Sequence, residues 1–274
     1  MAGYDGISCP VTGATDWFLI KSYNAPPTGE TDFGLSPYRR DLLQSPSTGH
    51  VVNRHDMDLS DLYSGDYWNR TYGGGRMAAM FDKIMALPPE RSDNRGRVAF
   101  VDGHCGDMRK AGRNKLLDVG AGLAVFPAAM RQAGWHATAL DPDPRSAEHA
   151  RSKADVDGLV ADFMTDTIDR RFDLVTFNKV LEHVPDPVTM LAKSRDVLTD
   201  CGVVYVELPD GEAALADAGP DREEFFIEHY CAFSAVSYAM LARRAGFRLM
   251  LLDRLVEPSG KYTLRGLMRP EPAA

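Results

Sequence analysis

The chain has 274 residues, 44% hydrophobic and 26% charged, a composition that suits one or two folded domains with a buried core. Its 31 Lys and Arg are outnumbered by 39 Asp and Glu, and the net charge of −8 argues against nucleic acid or an anionic membrane as a partner. No run approaches the roughly 18 consecutive apolar residues of a membrane span, and MAGYDGISCPVTG lacks the basic-then-apolar layout of a signal peptide, so the expected location is the cytoplasm. Four dispersed cysteines (Cys9, Cys105, Cys201, Cys231) are then expected as reduced thiols.

Residues 1–114 read as loop-rich, with Pro26, Pro27, Gly73 to Gly75, Pro88 and Pro89 interrupting any clean period. The exception is RMAAMFDKIMAL (76–87), where Met77, Met80, Phe81, Ile84 and Leu87 recur at helical spacing before Pro88. After Arg113 short apolar runs alternate with helical stretches, the pattern of βαβ units and a parallel sheet. Seven runs are expected as strands: 115–120, 136–141, 158–161, 172–178, 202–208, 247–255 and 262–268. Asp143-Pro144, Asp186-Pro187 and Ser234 supply helix starts, and Gly134 and Gly246 suit helix ends. The turn 257–261 makes the last two strands an antiparallel pair.

The first of these runs leads into LLDVGAGLAVFP, where Gly120 and Gly122 open a turn into a helix beginning near Val125. Small residues admit a ligand close to the backbone, and a helix N-terminus offers it free amides. A dinucleotide fingerprint wants Gly or Ala where Val125 stands, and it seldom carries an acid where Asp118 stands. A carboxylate there suits an ammonium group better than a pyrophosphate, which points to a ligand with an amino-acid moiety. Asp141 ends the second strand, placed to accept from two ribose hydroxyls. Asp162 and Phe163 follow the third, where a carboxylate suits an adenine amino group and a ring suits the base face.

Together LDVGAG, Asp141, Asp162-Phe163 and FDLVTFNKVLEHVPDP resemble the class I S-adenosylmethionine-dependent methyltransferases over residues 90–270. The resemblance implies an α/β fold with a Rossmann-like, seven-stranded, mostly parallel sheet, helices on both faces and an irregular N-terminal lobe. It implies residues 1–97 as a lid or substrate lobe and 98–274 as the cofactor domain. It also implies S-adenosylmethionine held by Asp118, Gly120, Ala121, Gly122, Asp141, Pro142, Asp162, Phe163 and Asn178, and released as S-adenosylhomocysteine. The family often has a third small residue two places after the second glycine, and here it is Ala124.

A narrower likeness is to bacterial methyltransferases of sugars and small metabolites, some with an N-terminal zinc ribbon and an LYxxxYW segment. LYSGDYW (62–68) matches that segment, but of the ribbon's ligand positions only Cys9 keeps a thiol, the others being Thr12, Ser45 and Thr48. Hydroxyls do not replace thiolates on zinc, and His50, His55, His104 and Cys105 lack paired spacing, so no metal is expected. FFIEHYCAFS (225–234) resembles the catalytic stretch of the sugar C-methyltransferases, with Phe226 where a tyrosine is usual. The expectation is His229 as general base, oriented by Glu228. Tyr67, Tyr72, Arg76, His183 and Tyr230 are expected on the acceptor side, with Tyr63 and Trp68 in the same lid.

Three readings stay open: an O-methyltransferase acting on a hydroxyl of a sugar or secondary metabolite, a C-methyltransferase of a keto-sugar, and a binding protein that keeps the fold without chemistry. A nicotinamide oxidoreductase is disfavoured by Asp118 and Val125. A homodimer is compatible with all of these, and none requires one.

Overall fold

In the computed structural model, which describes residues 8–59 and 76–272, the described part of the N-terminal lobe is not irregular. It holds three strands, β1 (Phe18–Tyr23), β2 (Arg40–Gln44) and β3 (Val51–Arg54), and a fourth, β9 (Cys231–Ala232), arrives from the far end of the chain to complete an antiparallel sheet in the order β1-β2-β3-β9. This corrects the sequence expectation. The strands are short, and one inward residue is charged: Arg40 is buried, ion-paired to Glu30 at 3.1 Å, with its guanidinium 3.9 Å from the Tyr23 ring. Such polar packing hides the period-two signal on which strand recognition depends.

The positions compared with a zinc ribbon lie in two similar turns. Cys9 N–H donates to the Ala14 carbonyl and Gly13 N–H to the Cys9 carbonyl, while Ser45 N–H donates to His50 and Gly49 N–H to Ser45. In the second turn Thr48 Oγ1 donates to Ser45 Oγ at 3.0 Å, and Ser45 Oγ donates to Asp16 at 3.0 Å. His50, His104 and Cys105 are not brought together: His50 packs edge-on against Phe233, and His104 bonds the Phe100 carbonyl within its own helix.

Helix α1 (Arg76–Met85) forms where expected and stops before Pro88. Helix α2 (Asp93–Lys110) was not expected. Gly96, Gly103 and Gly106 interrupt its apolar period, and Ser92 caps it by accepting from Arg95 N–H. The boundary drawn between residues 97 and 98 falls inside α2.

The larger sheet has seven strands: β4 (Lys115–Val119), β5 (His136–Asp141), β6 (Asp157–Val160), β7 (Phe172–Asn178), β8 (Leu198–Pro209), β10 (Phe247–Val256) and β11 (Tyr262–Pro270). Their order is β10-β11-β8-β7-β4-β5-β6; β8 through β6 run parallel, and β10-β11 is the expected antiparallel pair. Alternate residues serve two cores. Leu117, Val175, Val204 and Val206 join one, and Leu116, Leu174, Val203 and Tyr205 the other, which is why these strands read as continuous apolar runs.

The intervening helices are α3 (Val125–Gln132), α4 (Pro144–Ser152), α5 (Pro187–Lys193), α6 (Gly211–Ala218) and α7 (Ala235–Arg244). Asp143, Asp186 and Ser234 each accept a backbone N–H at a helix start, as expected, and Ser234 forms a reciprocal box with Ser237. The buried Ser234 hydroxyl also donates to the Thr48 carbonyl, tying α7 to the N-terminal lobe. Ser234→Ala therefore removes both contacts and is expected to cost about 1–2 kcal/mol, read as a lower denaturant midpoint at unchanged slope.

Candidate active site

The chain runs β4, β5, β6 to one side and then returns to β7 and β8 on the other, so the sheet reverses order between β4 and β7. Open α/β sheets bind ligands at the strand carboxyl ends beside such a reversal. Asp118 on β4 sits opposite Thr176 on β7, and its fully buried carboxylate accepts from Thr176 Oγ1 at 2.7 Å and Asn178 Nδ2 at 2.5 Å. Burial pushes the Asp118 carboxyl up to about 6, against these hydrogen bonds. Asn178 keeps its own Oδ1 buried and without a partner.

Above this pair the loop turns through left-handed backbone at Gly120 (φ 68°) and Gly122 (φ 49°). A Cβ on Gly120 would stand 2.9 Å from Val180 Cγ2, whereas one on Gly122 would meet nothing within 4 Å, so the loop packs on one side and opens on the other. Ala121 N–H is held by the Leu140 carbonyl. Ala124 precedes α3 without a capping side chain, leaving the first amides of that helix to a ligand.

Asp141 accepts from Gly122 N–H at 3.0 Å and Asp143 N–H at 2.9 Å, which fixes its carboxylate at the rim of the loop, with exposed Pro142 following. Burial raises its pKa against those two donors. Asp162 is exposed and turns on itself, accepting from Met164 N–H at 2.7 Å. Phe163 departs from expectation. Its ring is buried against Phe177 with centroids 5.7 Å apart, because an apolar ring at the end of β6 gains more by joining the core than by facing a loop.

A second group of side chains lines a cavity of about 300 Å³ formed by the segment after β7, the segment before β9 and Gly29 and Thr31 of the N-terminal lobe. His183 and His229 meet edge to face there with centroids 4.7 Å apart. The expected Glu228–His229 dyad does not form: His229 Nδ1 bonds the Glu224 backbone carbonyl at 2.9 Å, while the Glu228 carbonyl takes His183 Nδ1 at 2.9 Å. A carbonyl only accepts, so each Nδ1 carries the proton and each Nε2 presents a lone pair. Burial, with His183 next to it, holds the His229 pKa well below its ordinary value and the ring neutral.

Tyr230 lies elsewhere. It lines a more apolar cavity of about 270 Å³ with Cys9, Trp17 and His50, because alternate residues of an extended segment face opposite sides. Arg76 is exposed at the start of α1 and is not among the residues lining the histidine cavity. Tyr63, Tyr67, Trp68 and Tyr72 lie outside the described residues.

Sequence reasoning missed the charged network beside Asn178. Glu207, paired with Asn178 across β7 and β8, is fully buried and held by Arg97 of α2 through Nε at 2.6 Å and Nη2 at 2.5 Å, with Tyr205 donating its hydroxyl at 2.8 Å. Burial alone would raise the Glu207 carboxyl; Arg97 overrides it and brings the pKa to about 2. No spacing rule links residues so far apart, and only an acid inside an apolar strand hinted at a buried partner.

The fold and the reversal-point loop define a class of protein, the Rossmann-like α/β proteins, whose open sheets take ligands at the strand carboxyl ends. Residues 72–252 match the family described as "Methyltransferase domain". The chain belongs to that family, whose members take their methyl group from S-adenosylmethionine.

Among curated proteins it is similar to the ubiquinone biosynthesis O-methyltransferase of Actinobacillus pleuropneumoniae serotype 7, with 32% identity over 102 residues, 33% of this chain and 44% of the relative. It is also similar to that of Azotobacter vinelandii, with 30% identity over 132 residues, 46% of this chain and 55% of the relative. The chain thus spans about half the length of these relatives.

The Burkholderia thailandensis 1,6-didemethyltoxoflavin-N1-methyltransferase, solved with bound 1,6-didemethyltoxoflavin and S-adenosylhomocysteine, shares the fold at TM-score 0.53 and 20% identity, covering 90% of this chain and 100% of that one. Magnesium protoporphyrin IX methyltransferase of Synechocystis PCC 6803 does so at TM-score 0.52 and 16% identity, over 78% of this chain and 98% of that one.

Proposed function

We propose that the protein transfers the methyl group of S-adenosylmethionine to a hydroxyl of a small molecule, a sugar or other secondary metabolite. The observation that carries this reading is the placement of two imidazole Nε2 lone pairs in a cavity one short segment beyond Asn178. The two curated relatives named above are O-methyltransferases, and an acidic chain with a cavity of about 300 Å³ suits a small acceptor better than a nucleic acid. Among the described residues no helix is long and apolar enough to cross a membrane.

The residues fit the cofactor. Asp118 and the orphaned Asn178 Oδ1 would hold its ammonium group, Gly120 and Gly122 would admit its chain, Asp141 would accept from the ribose hydroxyls, and Asp162 would accept from adenine. The cofactor supplies an electrophilic methyl group. The protein's part is alignment and exclusion of water, since an SN2 displacement needs the oxygen about 3–3.5 Å from the methyl carbon on the line of the leaving sulfur. His229 assists ionisation of the hydroxyl, held in place by the Glu224 carbonyl.

Thermal unfolding with S-adenosylhomocysteine, S-adenosylmethionine or NAD tests the cofactor. A ligand at 100 times its dissociation constant stabilises by about 2.7 kcal/mol, and only the first two are expected to do so. Turnover is then followed as S-adenosylhomocysteine release over a panel of catechols, flavonoids and nucleoside-diphosphate sugars. His229→Ala is expected to lower kcat by about 10²-fold or more at unchanged cofactor affinity, and unchanged kcat would remove His229 from the chemistry. C-methylation of a keto-sugar is the weaker reading, because it relies on a Glu228–His229 dyad and the Glu224 carbonyl takes that place on His229.

A further inference from the structure

The geometry points to a metal centre: we propose that Glu182, His183 and His229 bind one divalent first-row cation of the zinc type at the floor of the histidine cavity. The use of the cation in methyl transfer rests on the function proposed above; its binding does not.

Glu182, beside His183 in the segment after β7, and His229, from the segment before β9, bring one carboxylate oxygen and two ring nitrogens within 4.8 Å of one another. Three independent features mark the cluster as a ligand set. Both Nδ1 atoms are committed to backbone carbonyls, the outer-shell contact that metal-binding histidines make and that aims Nε2 at the ion. Glu182 is fully buried, yet neither of its carboxylate oxygens has a hydrogen-bond partner. Burying such a group unpaired is costly, and a cation on its lone pairs removes that cost. The cluster also borders open volume, so a coordination position is left for an acceptor.

The neighbouring charges allow it. Lys179 Nζ donates to Thr263 Oγ1 at 2.9 Å rather than to Glu182, and the cations lining the cavity, Lys179 and Lys261, are matched there by Glu223 and Glu228 besides Glu182. Two imidazoles and a carboxylate suit zinc, iron or nickel rather than calcium. Bonds of about 2.0–2.1 Å need ligand atoms roughly 3.3 Å apart, so binding draws ligand atoms now within 4.8 Å together by up to about 1.5 Å. The sequence carried no such expectation, because it showed neither a paired spacing nor the fold that joins the two segments.

With the cation bound, the His229 Nε2 lone pair is a ligand and no longer a base, and the cation would take over ionisation by attracting the acceptor oxygen and acidifying its hydroxyl. The proton leaves to water, the oxygen forms its bond to the methyl carbon, and the carbon–sulfur bond breaks to give a neutral thioether.

The test is calorimetric titration of chelator-treated protein with Zn²⁺ and with Co²⁺, in the absence of cofactor and acceptor. One equivalent is expected to bind the wild type and to raise its unfolding temperature, with a visible Co²⁺ band of low-coordinate N/O ligation. Glu182→Gln, which keeps shape and volume, is expected to weaken binding at least about 100-fold, beyond the 10–100-fold typical of an outer-shell loss. His183→Ala should do the same. Absence of binding to folded wild type, or wild-type affinity retained in both the Glu182→Gln and His183→Ala variants, overturns the proposal. Metal bound to the wild type and lost in Glu182→Gln, with no methyl transfer to any acceptor, supports the centre and counts against the proposed function alone. Chelator-resistant turnover by metal-free protein overturns the cation's use in methyl transfer and leaves methyl transfer itself standing.

Discussion

Arg97→Ala is expected to cost the folded state about 3–5 kcal/mol, because it strands the Glu207 carboxylate with no exposed surface and no counterion on that side. The loss should appear as a lower urea midpoint and as early proteolysis. It should also reach the site, since Glu207 pairs with Asn178 across the two strands and accepts Lys179 N–H through its carbonyl. Replacing both partners by apolar side chains, Arg97→Met with Glu207→Leu, is expected to recover most of the stability, as desolvation of the pair is then no longer required.

The same pair sets the acid limb. The folded-state pKa of Glu207 is about 2 against an ordinary 4.5, so its contribution is complete above about pH 4.5 and is lost as the pH falls towards 2. At about 1.4 kcal/mol per unit this amounts to roughly 3 kcal/mol. Urea titrations at pH 6 and pH 3 should show the wild type losing about 2 kcal/mol of that increment and Glu207→Gln losing far less. Parallel losses in the two proteins would mean that another carboxylate governs acid unfolding.

Asp118→Asn should move stability and cofactor affinity in opposite directions. The Asp118 carboxyl is raised to about 6 from an ordinary 3.8, so folding favours its protonated form. Stability is highest below about pH 4, declines as pH rises through about 6, and carries the full penalty, roughly 3 kcal/mol, above that. Asparagine keeps an acceptor for Thr176 and Asn178 without the charge, and at pH 8 the cofactor-free variant should be about 1–3 kcal/mol more stable than wild type. Its affinity for S-adenosylmethionine should fall about 10- to 100-fold, the worth of a hydrogen bond to a charged group. A variant no more stable at pH 8 that binds the cofactor as tightly as wild type would remove Asp118 from the ligand site.

How much of the site was legible depended on how local its signals were. Asp118, Gly120, Gly122 and Asp141 stand at strand ends that periodicity located, and the reversal of strand order brings them together. Phe163 was misread for the same locality: its position after β6 was right, but whether a ring faces a ligand or the core depends on Phe177, which the sequence alone cannot place beside it. The surroundings of His229 were not legible, since the partner of its Nδ1 is a backbone carbonyl, and backbone carbonyls carry no sequence identity.

The sequence by itself determined the larger sheet, its parallel part and antiparallel end, the helix starts at Asp143, Asp186 and Ser234, and the glycine loop. These rest on short-range effects that a stretch of ten residues contains: alternation of faces, fixed proline φ and side-chain capping. Only the tertiary structure decided the four-stranded lobe sheet with its late strand Cys231–Ala232, the Arg97–Glu207 pair and the meeting of Glu182, His183 and His229. Each joins segments distant in the chain, and it forms because a buried hydrogen-bonding or charged group must find its partner wherever the fold supplies one.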